Sequence, residues 1–304
     1  MPSFKHILFP IDFSQQNCGV APYVACMARR YGARVTMLHV MEIPSAPYPG
    51  WPAHAALIDF QAMIDDRNKR TESFLKNEFQ EITTTRVMDE GDPAHQIVEH
   101  AEKEEVDLIM MPTHGYGPFR RFLLGSVTAK VLHDVKCPVW TSAHAPETPA
   151  LPAGYRNILC AVDLTPNSLP LVQWASGFAH DHGARLKLVH AVPVAEPQSM
   201  VDVEGGRFRA SLLDVAREEL AKVQKEAGTD LDAVLRAGDV AQVVREAAAE
   251  DDADLVVIGR GVLHQLFGRM RTHVYSVIRE APCPGDQRLG AAVYDAPEAC
   301  GLCC

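Results

Sequence analysis

The sequence predicts an α/β protein: two tandem copies of one doubly wound, five-stranded parallel-sheet domain. Three observations predict it. The chain repeats itself, short apolar runs alternate with amphipathic helical stretches, and a proline-rich segment separates the copies. HILFPIDFS (His6 to Ser14) returns as NILCAVDLT (Asn157 to Thr165), and GARVTMLHV (Gly32 to Val40) as GARLKLVHA (Gly183 to Ala191). GDPAHQIVEHAEKEEVDLIMMPTHG (Gly91 to Gly115) is answered by GDVAQVVREAAAEDDADLVVIGRG (Gly238 to Gly261), then KCPV by PCPG. An offset of about 150 residues is domain-sized and too long for a solenoid repeat. A chain of 304 residues is long enough to close two cores.

Within the first copy, the runs His6 to Ile11, Val35 to Val40, Leu108 to Met111 and Val139 to Thr141 are short and nearly continuous. That pattern fits strands covered on both faces. Between them, Gln15 to Tyr31 carries Val20, Val24, Met27 and Tyr31 at three- and four-residue steps, the stripe of a helix buried against a sheet. Ala55 to Phe79 and Pro93 to Glu104 follow the same rule, as do Ser168 to His182 and Phe208 to Glu226 in the second copy. Strand alternating with helix implies right-handed crossovers and a parallel sheet. Domains are therefore expected at residues 1–145 and 155–285, with the proline-rich stretch HAPETPALPAG (His144 to Gly154) supplying the linker at 146–154 and residues 286–304 a tail. After the CP pair the first copy continues VWTSA, whereas the second continues GDQRLGAAVY. Its last strand is expected to be atypical or missing, or built from GAAVY. Cys300, Cys303 and Cys304 lie beyond it on the tail, and three thiols leave a tetrahedral zinc site incomplete.

A formal charge of -10 with acidic and basic residues interspersed leaves no basic face for a nucleic acid backbone. No apolar run reaches the roughly 18 to 20 residues of a membrane span, and MPSFKHILFPID lacks the apolar core of a secretion signal. The eight cysteines mostly fall singly at apolar positions, as reduced thiols do. The expected location is the cytoplasm.

In a doubly wound sheet, ligands bind beyond the carboxyl ends of the strands where strand order reverses. Three places qualify. Asp12, after the first strand, can accept hydrogen bonds from a ribose or an adenine amino group, although Asp12 or Ser14 also reads as a helix cap. Val40 ends the second strand and either offers backbone to a base edge or is a plain strand end. The third place is Met111 to Leu132, where Gly115 and Gly117 form a loop and Gly125 and Ser126 open a helix. Free N–H groups, a glycine and a hydroxyl make a phosphate cradle there; the alternative is a plain loop and a serine cap. His39 and His190 recur at matching strand positions, which favours packing, and Asp92 and Asp239 read as caps. His114 is the histidine expected near a ligand. No GxSxG, HExxH or P-loop motif is present, and no acid and base pair is identifiable.

The PIDFS turn, the LHV strand end, the GDP before the third helix, and THG followed by GSVTAKVL and CPV resemble the universal stress protein family in tandem form, from about Phe4 to Pro284. The resemblance implies Rossmann-like domains. Its ATP-binding members share glycine, two residues, glycine, nine residues, glycine, then serine or threonine. Gly115, Gly125 and Ser126 match the last three elements. The resemblance implies ATP or a related adenine nucleotide, with Mg2+ as its companion, in the first domain only. Pro10, Ile11, Asp12 and Val40 would surround adenine and ribose. Met111, His114, Gly115, Gly125, Ser126, Val127 and Thr128 would surround the phosphates.

The first glycine of the pattern is Pro112 here. Proline removes an N–H donor, and losing one charge-assisted bond costs about 1.5 to 3 kcal/mol, or one to two decades of affinity. Arg120 and Arg121 are candidates to offset it. In the second repeat, Arg271 and Thr272 stand where Gly125 and Ser126 stand in the first, so the same site is expected to be lost. Arg260, Arg269, Arg271 and His273 read as another anion site or an interaction surface. The expectations are a nucleotide sensor with slow or absent hydrolysis; a stress-response interaction module with both sites abandoned; or an enzyme on a related fold, needing a constellation the sequence lacks. Self-association through sheet edges is expected, unless the two domains pair within one chain.

Overall fold

A computed structural model describes residues 3–42, 60–115, 124–142, 154–193, 203–259, 277–278 and 290–294. The first unit runs β1 (His6–Pro10), α1 (Gln15–Tyr31), β2 (Arg34–Met41), α2 (Phe60–Ser73), β3 (Thr84–Glu90), α3 (Pro93–Lys103), β4 (Leu108–Pro112), α4 (Ser126–Asp134), β5 (Val139–Ser142). The second runs β6 (Asn157–Ala161), α5 (Ser168–His182), β7 (Arg185–Val192), α6 (Val203–Ala227), β8 (Ala233–Ala237), α7 (Val240–Glu250), β9 (Leu255–Gly259), β10 (Gly290–Tyr294). The ten strands among the described residues form one sheet in the order β3-β2-β1-β4-β5-β10-β9-β6-β7-β8. Each half is parallel within itself, and the halves meet where β10 runs antiparallel to β5, with Ala292 opposite Trp140.

The near-continuous apolar strands are buried on both faces. In β1, Ile7 and Phe9 enter the core under α1, α5 and α6, while Leu8 enters the core under α3, α4 and α7. Both cores contain residues of both units, so the halves share two continuous apolar layers. One device starts each half. Asp107 Oδ2 accepts from the Lys5 and His6 N–H groups at 2.7 and 2.9 Å, and Asp254 accepts from Arg156 and Asn157 N–H at 2.7 and 3.2 Å. These carboxylates tie the start of the fourth strand of each unit to the start of its first.

The GAAVY segment supplies the last strand of the second unit, so part of the expected tail is central sheet. It takes the edge of β9 and fills the edge of β5 at once, which places the pairing of the two units inside one chain. The cysteines at 300, 303 and 304 lie outside the described residues. Across this junction Phe4 packs edge-on to Tyr31 at 4.9 Å and touches Phe178, while Trp174 stacks on Phe178 at 5.2 Å and on Tyr294 at 5.1 Å. Arg30 Nη1 donates to Asp181 O at 2.7 Å.

Candidate functional site

β1 has neighbours on both sides that depart in opposite directions: its register with β2 runs from His6 to Pro10, but with β4 it stops at Leu8 opposite Ile109. The strands splay beyond that point. Asn17 Nδ2 donates to Pro10 O at 3.1 Å and Asn17 Oδ1 accepts from Asp12 N–H at 2.7 Å, so the end of β1 is tied to α1 and not to β4. The result is a cleft of about 620 Å³ at the carboxyl ends of β1, β2 and β4, roofed by the start of α4. That volume lies within the range of small-ligand pockets, about 300 to 1,000 Å³.

All eleven residues singled out from sequence line this cleft: Pro10, Ile11, Asp12 and Val40 on one side, and Met111, His114, Gly115, Gly125, Ser126, Val127 and Thr128 on the other. Their local roles differ from the reading in several ways. Of the two cap candidates, Asp12 and Ser14, it is Ser14 that caps α1, its hydroxyl accepting from Asn17 N–H. Asp12 instead turns its Oδ1 back to Ser14 N–H at 2.9 Å, with Phe13 between them at φ 62°, and rests Oδ2 against Gly115. A Cβ at residue 115 would collide with that carboxylate oxygen, so a larger residue there has to displace the Asp12 side chain. The last bond from β1 to β2 is Ile11 N–H to Leu38 O, 2.8 Å. Val40 lies beyond it, its backbone on the β1 side facing the cleft.

At the other end, Gly125 and not Ser126 is the cap of α4, and it offers no side-chain bond. The first bond within the helix runs from Ala129 N–H to Gly125 O, leaving the Ser126, Val127 and Thr128 amides at the open helix end with the positive end of its dipole. By contrast α1, α3 and α7 begin on Ser14, Asp92 and Asp239, whose side chains satisfy an amide in each first turn. Two groups assigned to phosphate recognition are spent internally. Gly125 N–H donates to Thr113 O at 2.8 Å, and the buried Thr128 hydroxyl donates to Pro112 O at 3.1 Å. These bonds press α4 against the exit of β4. A Cβ on Gly125 would stand 3.1 Å from Thr113 O.

Pro112 ends β4. The Ile109 and Thr113 amides donate toward β5, to Pro138 O and Ser142 O, so the nitrogen at position 112 faces β1. The donor that proline removes is therefore one that would have faced the crevice. Gly117, Arg120, Arg121, Arg260, Arg269, Arg271, Thr272 and His273 lie outside the described residues.

Sequence reasoning missed other lining groups, among them Asn17, His39, Glu42 and Arg67. His39 does pack, its Nδ1 bonded to Ile11 O at 2.9 Å with its ring 4.4 Å from Phe13, and His190 repeats this bond on Val162 O at 2.8 Å. It also lines the cleft, so His114 is not alone there. Burial holds His39 below its usual value, against the carbonyl bond that raises it. Arg67 sits in a polar stretch of α2 that reads as solvated face, and nothing local marks it. His114 is buried, its Nδ1 within 3.0 Å of Thr113 Oγ1.

A sequence model of the universal stress protein family matches residues 3–142 and again 154–284. The chain belongs to the universal stress protein family. Each match covers one unit, and β10 falls after the second. Among curated relatives, Universal stress protein MJ0531 of Methanocaldococcus jannaschii is 31% identical over 138 residues, 45% of this chain and 80% of that one. A universal stress protein of Thermus aquaticus is 32% identical over 140 residues, 45% of this chain and 96% of that one. A universal stress protein structure from Archaeoglobus fulgidus superposes with TM-score 0.67 over 98% of this chain and 99% of that one, at 21% identity. That likeness spans both units and supports the tandem fold.

In this universal stress protein the second unit is built differently at the matching place. Gly259 ends β9 as Pro112 ends β4, and Leu171 of α5 comes within 3.1 Å of where its Cβ would be. Asp163 Oδ1 takes three bonds from its own turn, from Thr165 N–H, Thr165 Oγ1 and Ser168 Oγ.

Proposed function

We propose that the first unit binds an adenine nucleotide in this cleft and that occupancy, not turnover, is the signal. The observation that carries the reading is the convergence on one cavity of an uncapped helix start, a carboxylate fixed at the end of β1, and the open backbone end of β2. The amides of Ser126, Val127 and Thr128 with the Ser126 hydroxyl suit a phosphate. Asp12 and the Val40 backbone suit ribose and base. The cleft's volume and donor set fit a nucleotide, and magnesium enters as part of the nucleotide salt. Among the described residues no group of three or more His, Cys, Asp or Glu could hold a metal by itself.

Slow or absent hydrolysis belongs to this reading, because the carboxylate nearest the cradle is held in a turn by Ser14 N–H and abuts Gly115. A cytoplasmic location belongs to it as well: Cys18 and Cys160 are free thiols, and burial pushes Cys160 up to about 12. No helix among the described residues is long and apolar enough to cross a membrane. A second reading, an interaction module with an unused cleft, is favoured by Pro112 alone. Mass spectrometry of small molecules released from the purified chain, with thermal shifts under millimolar nucleotide, separates the two. Released adenine nucleotide or a saturable shift supports the sensor; neither supports the interaction module.

A further inference from the structure

The cleft of the first unit opens where β1 and β4 stop pairing, and the two units differ at that point. In the second unit the matching strands stay together longer. There β6 pairs β9 through Ala161 opposite Ile258, two residues past Leu159 opposite Val256, the pair that corresponds to Leu8 opposite Ile109. Val162 N–H turns to Val189 O of β7, so Ala161 faces β9, and the parallel register gives Ala161 N–H to Val257 O and Gly259 N–H to Ala161 O. In the first unit those two donors fall at Pro10 and Pro112, which have no N–H to give. Pairing ends at Leu8, and Pro10 O and Asp12 N–H are left on the side of β1 that faces β4.

Buried backbone groups need partners. Asn17, buried in the first turn of α1, supplies both: its Nδ2 donates to Pro10 O at 3.1 Å and its Oδ1 accepts from Asp12 N–H at 2.7 Å. The second unit carries Ser168 at this position, and that hydroxyl donates to Asp163 Oδ1 at 3.0 Å instead. An amide here binds the strand end to the helix; a hydroxyl binds the carboxylate. With Asn17 in place, Asp12 accepts from Ser14 N–H alone among the described residues. Pro10, Asn17 and Pro112 all line the cleft.

We infer that Asn17 is the positioning residue of this cleft: with the facing prolines it holds β1 off β4 and leaves the Asp12 carboxylate to a ligand. The functional consequence rests on the nucleotide reading above, whereas the hold on the strands does not. In Pro112→Gly alone, Asn17 still occupies Pro10 O and the introduced amide stays turned to the crevice. Replacing Asn17 as well frees that carbonyl to accept it, as Ala161 O accepts from Gly259 N–H.

The test is amide hydrogen exchange at position 112, read by NMR in Pro112→Gly, Pro112→Gly/Asn17→Ser and Pro112→Gly/Asn17→Ala, with ATP titrated into each. The expected result is exchange at least tenfold slower in both double variants than in Pro112→Gly, and ATP binding at least tenfold weaker. Loss of a merely structural bond would loosen the strand ends and speed that exchange. Equal or faster exchange in either folded double variant overturns the inference, as does slower exchange with undiminished ATP affinity. Slower exchange in chains of which none binds ATP supports the hold of Asn17 on the strands and overturns the nucleotide reading instead.

Discussion

His182 closes α5 at the junction of the two units, and its environment sets a definite acid response. The ring is buried between Phe178 at 4.3 Å, Tyr155 at 5.0 Å and Tyr31 at 6.1 Å, and both ring nitrogens lack a hydrogen-bond partner among the described residues. The charged and titratable groups around it are Arg30 and Tyr31 from α1, Tyr155 from the segment before β6, and Asp181 from its own helix. Burial first, and the Arg30 charge second, push His182 from 6.5 down to about 4. The neutral form is thus favoured on folding. The histidine is harmless above its unfolded value near 6.5 and destabilises as pH falls from there through about 4. Fully developed, that gap is worth about 3 kcal/mol, and at pH 5 about 2 kcal/mol is already lost. Urea unfolding of the wild type and His182→Phe at pH 7.5 and 5.0 isolates the effect, since other groups titrate alike in both. The variant should gain about 2 kcal/mol on the wild type between the two pH values. A difference that stays constant with pH would refute the reasoning, showing that the ring finds water or a partner when protonated.

Three other perturbations test separate parts of the account. Pro112→Gly restores an N–H on the crevice side and should tighten nucleotide binding by about ten- to a hundredfold by titration calorimetry; unchanged or weaker binding would show that loop path, not the donor, is limiting. Gly115→Ala should destabilise the fold by about 1 to 3 kcal/mol through overpacking against Asp12, and Asp12→Ala in the same chain should recover most of it. Strictly additive urea midpoints would sink that contact. A chain ending at Leu289 lacks β10 and exposes the edges of β5 and β9, so light scattering should show it self-associating more than the full chain; an equally monodisperse, equally stable truncation would mean that β10 does not seal the junction.

The core strands and the first helix of each unit were legible because one signal fixes them. β1, β2, β4 and β5 are short apolar runs, and α1 and α5 carry their stripes and begin where read, at Gln15 and Ser168. β3 and β8 were not read from pattern. Thr84–Glu90 and Ala233–Ala237 are outer strands with half-exposed side chains, so neither a continuous apolar run nor strict alternation marks them. β10 was legible only as a possibility: Gly-Ala-Ala has weak strand propensity, and what holds it is tertiary, a seat between β5 and β9. At the cleft, glycines and a carboxylate at strand ends announce themselves. The bonding among them does not. That Ser14 caps α1, that Gly125 N–H is spent on Thr113, and that Thr128 latches Pro112 depend on which way each group turns, which spacing cannot supply. Arg67 and His39 were hidden for the opposite reason, each having an ordinary local role that accounts for it.

The account as a whole stands on one occupied cleft per chain, in the first unit. Calorimetric titration of adenine nucleotide into the wild type and into Gly125→Arg, which places in the first unit the residue that the second repeat carries at Arg271, tests this most directly. Saturable binding with one site per chain, abolished in a folded Gly125→Arg, is the expected result. Two sites per chain, no binding, or undiminished binding in Gly125→Arg would contradict it.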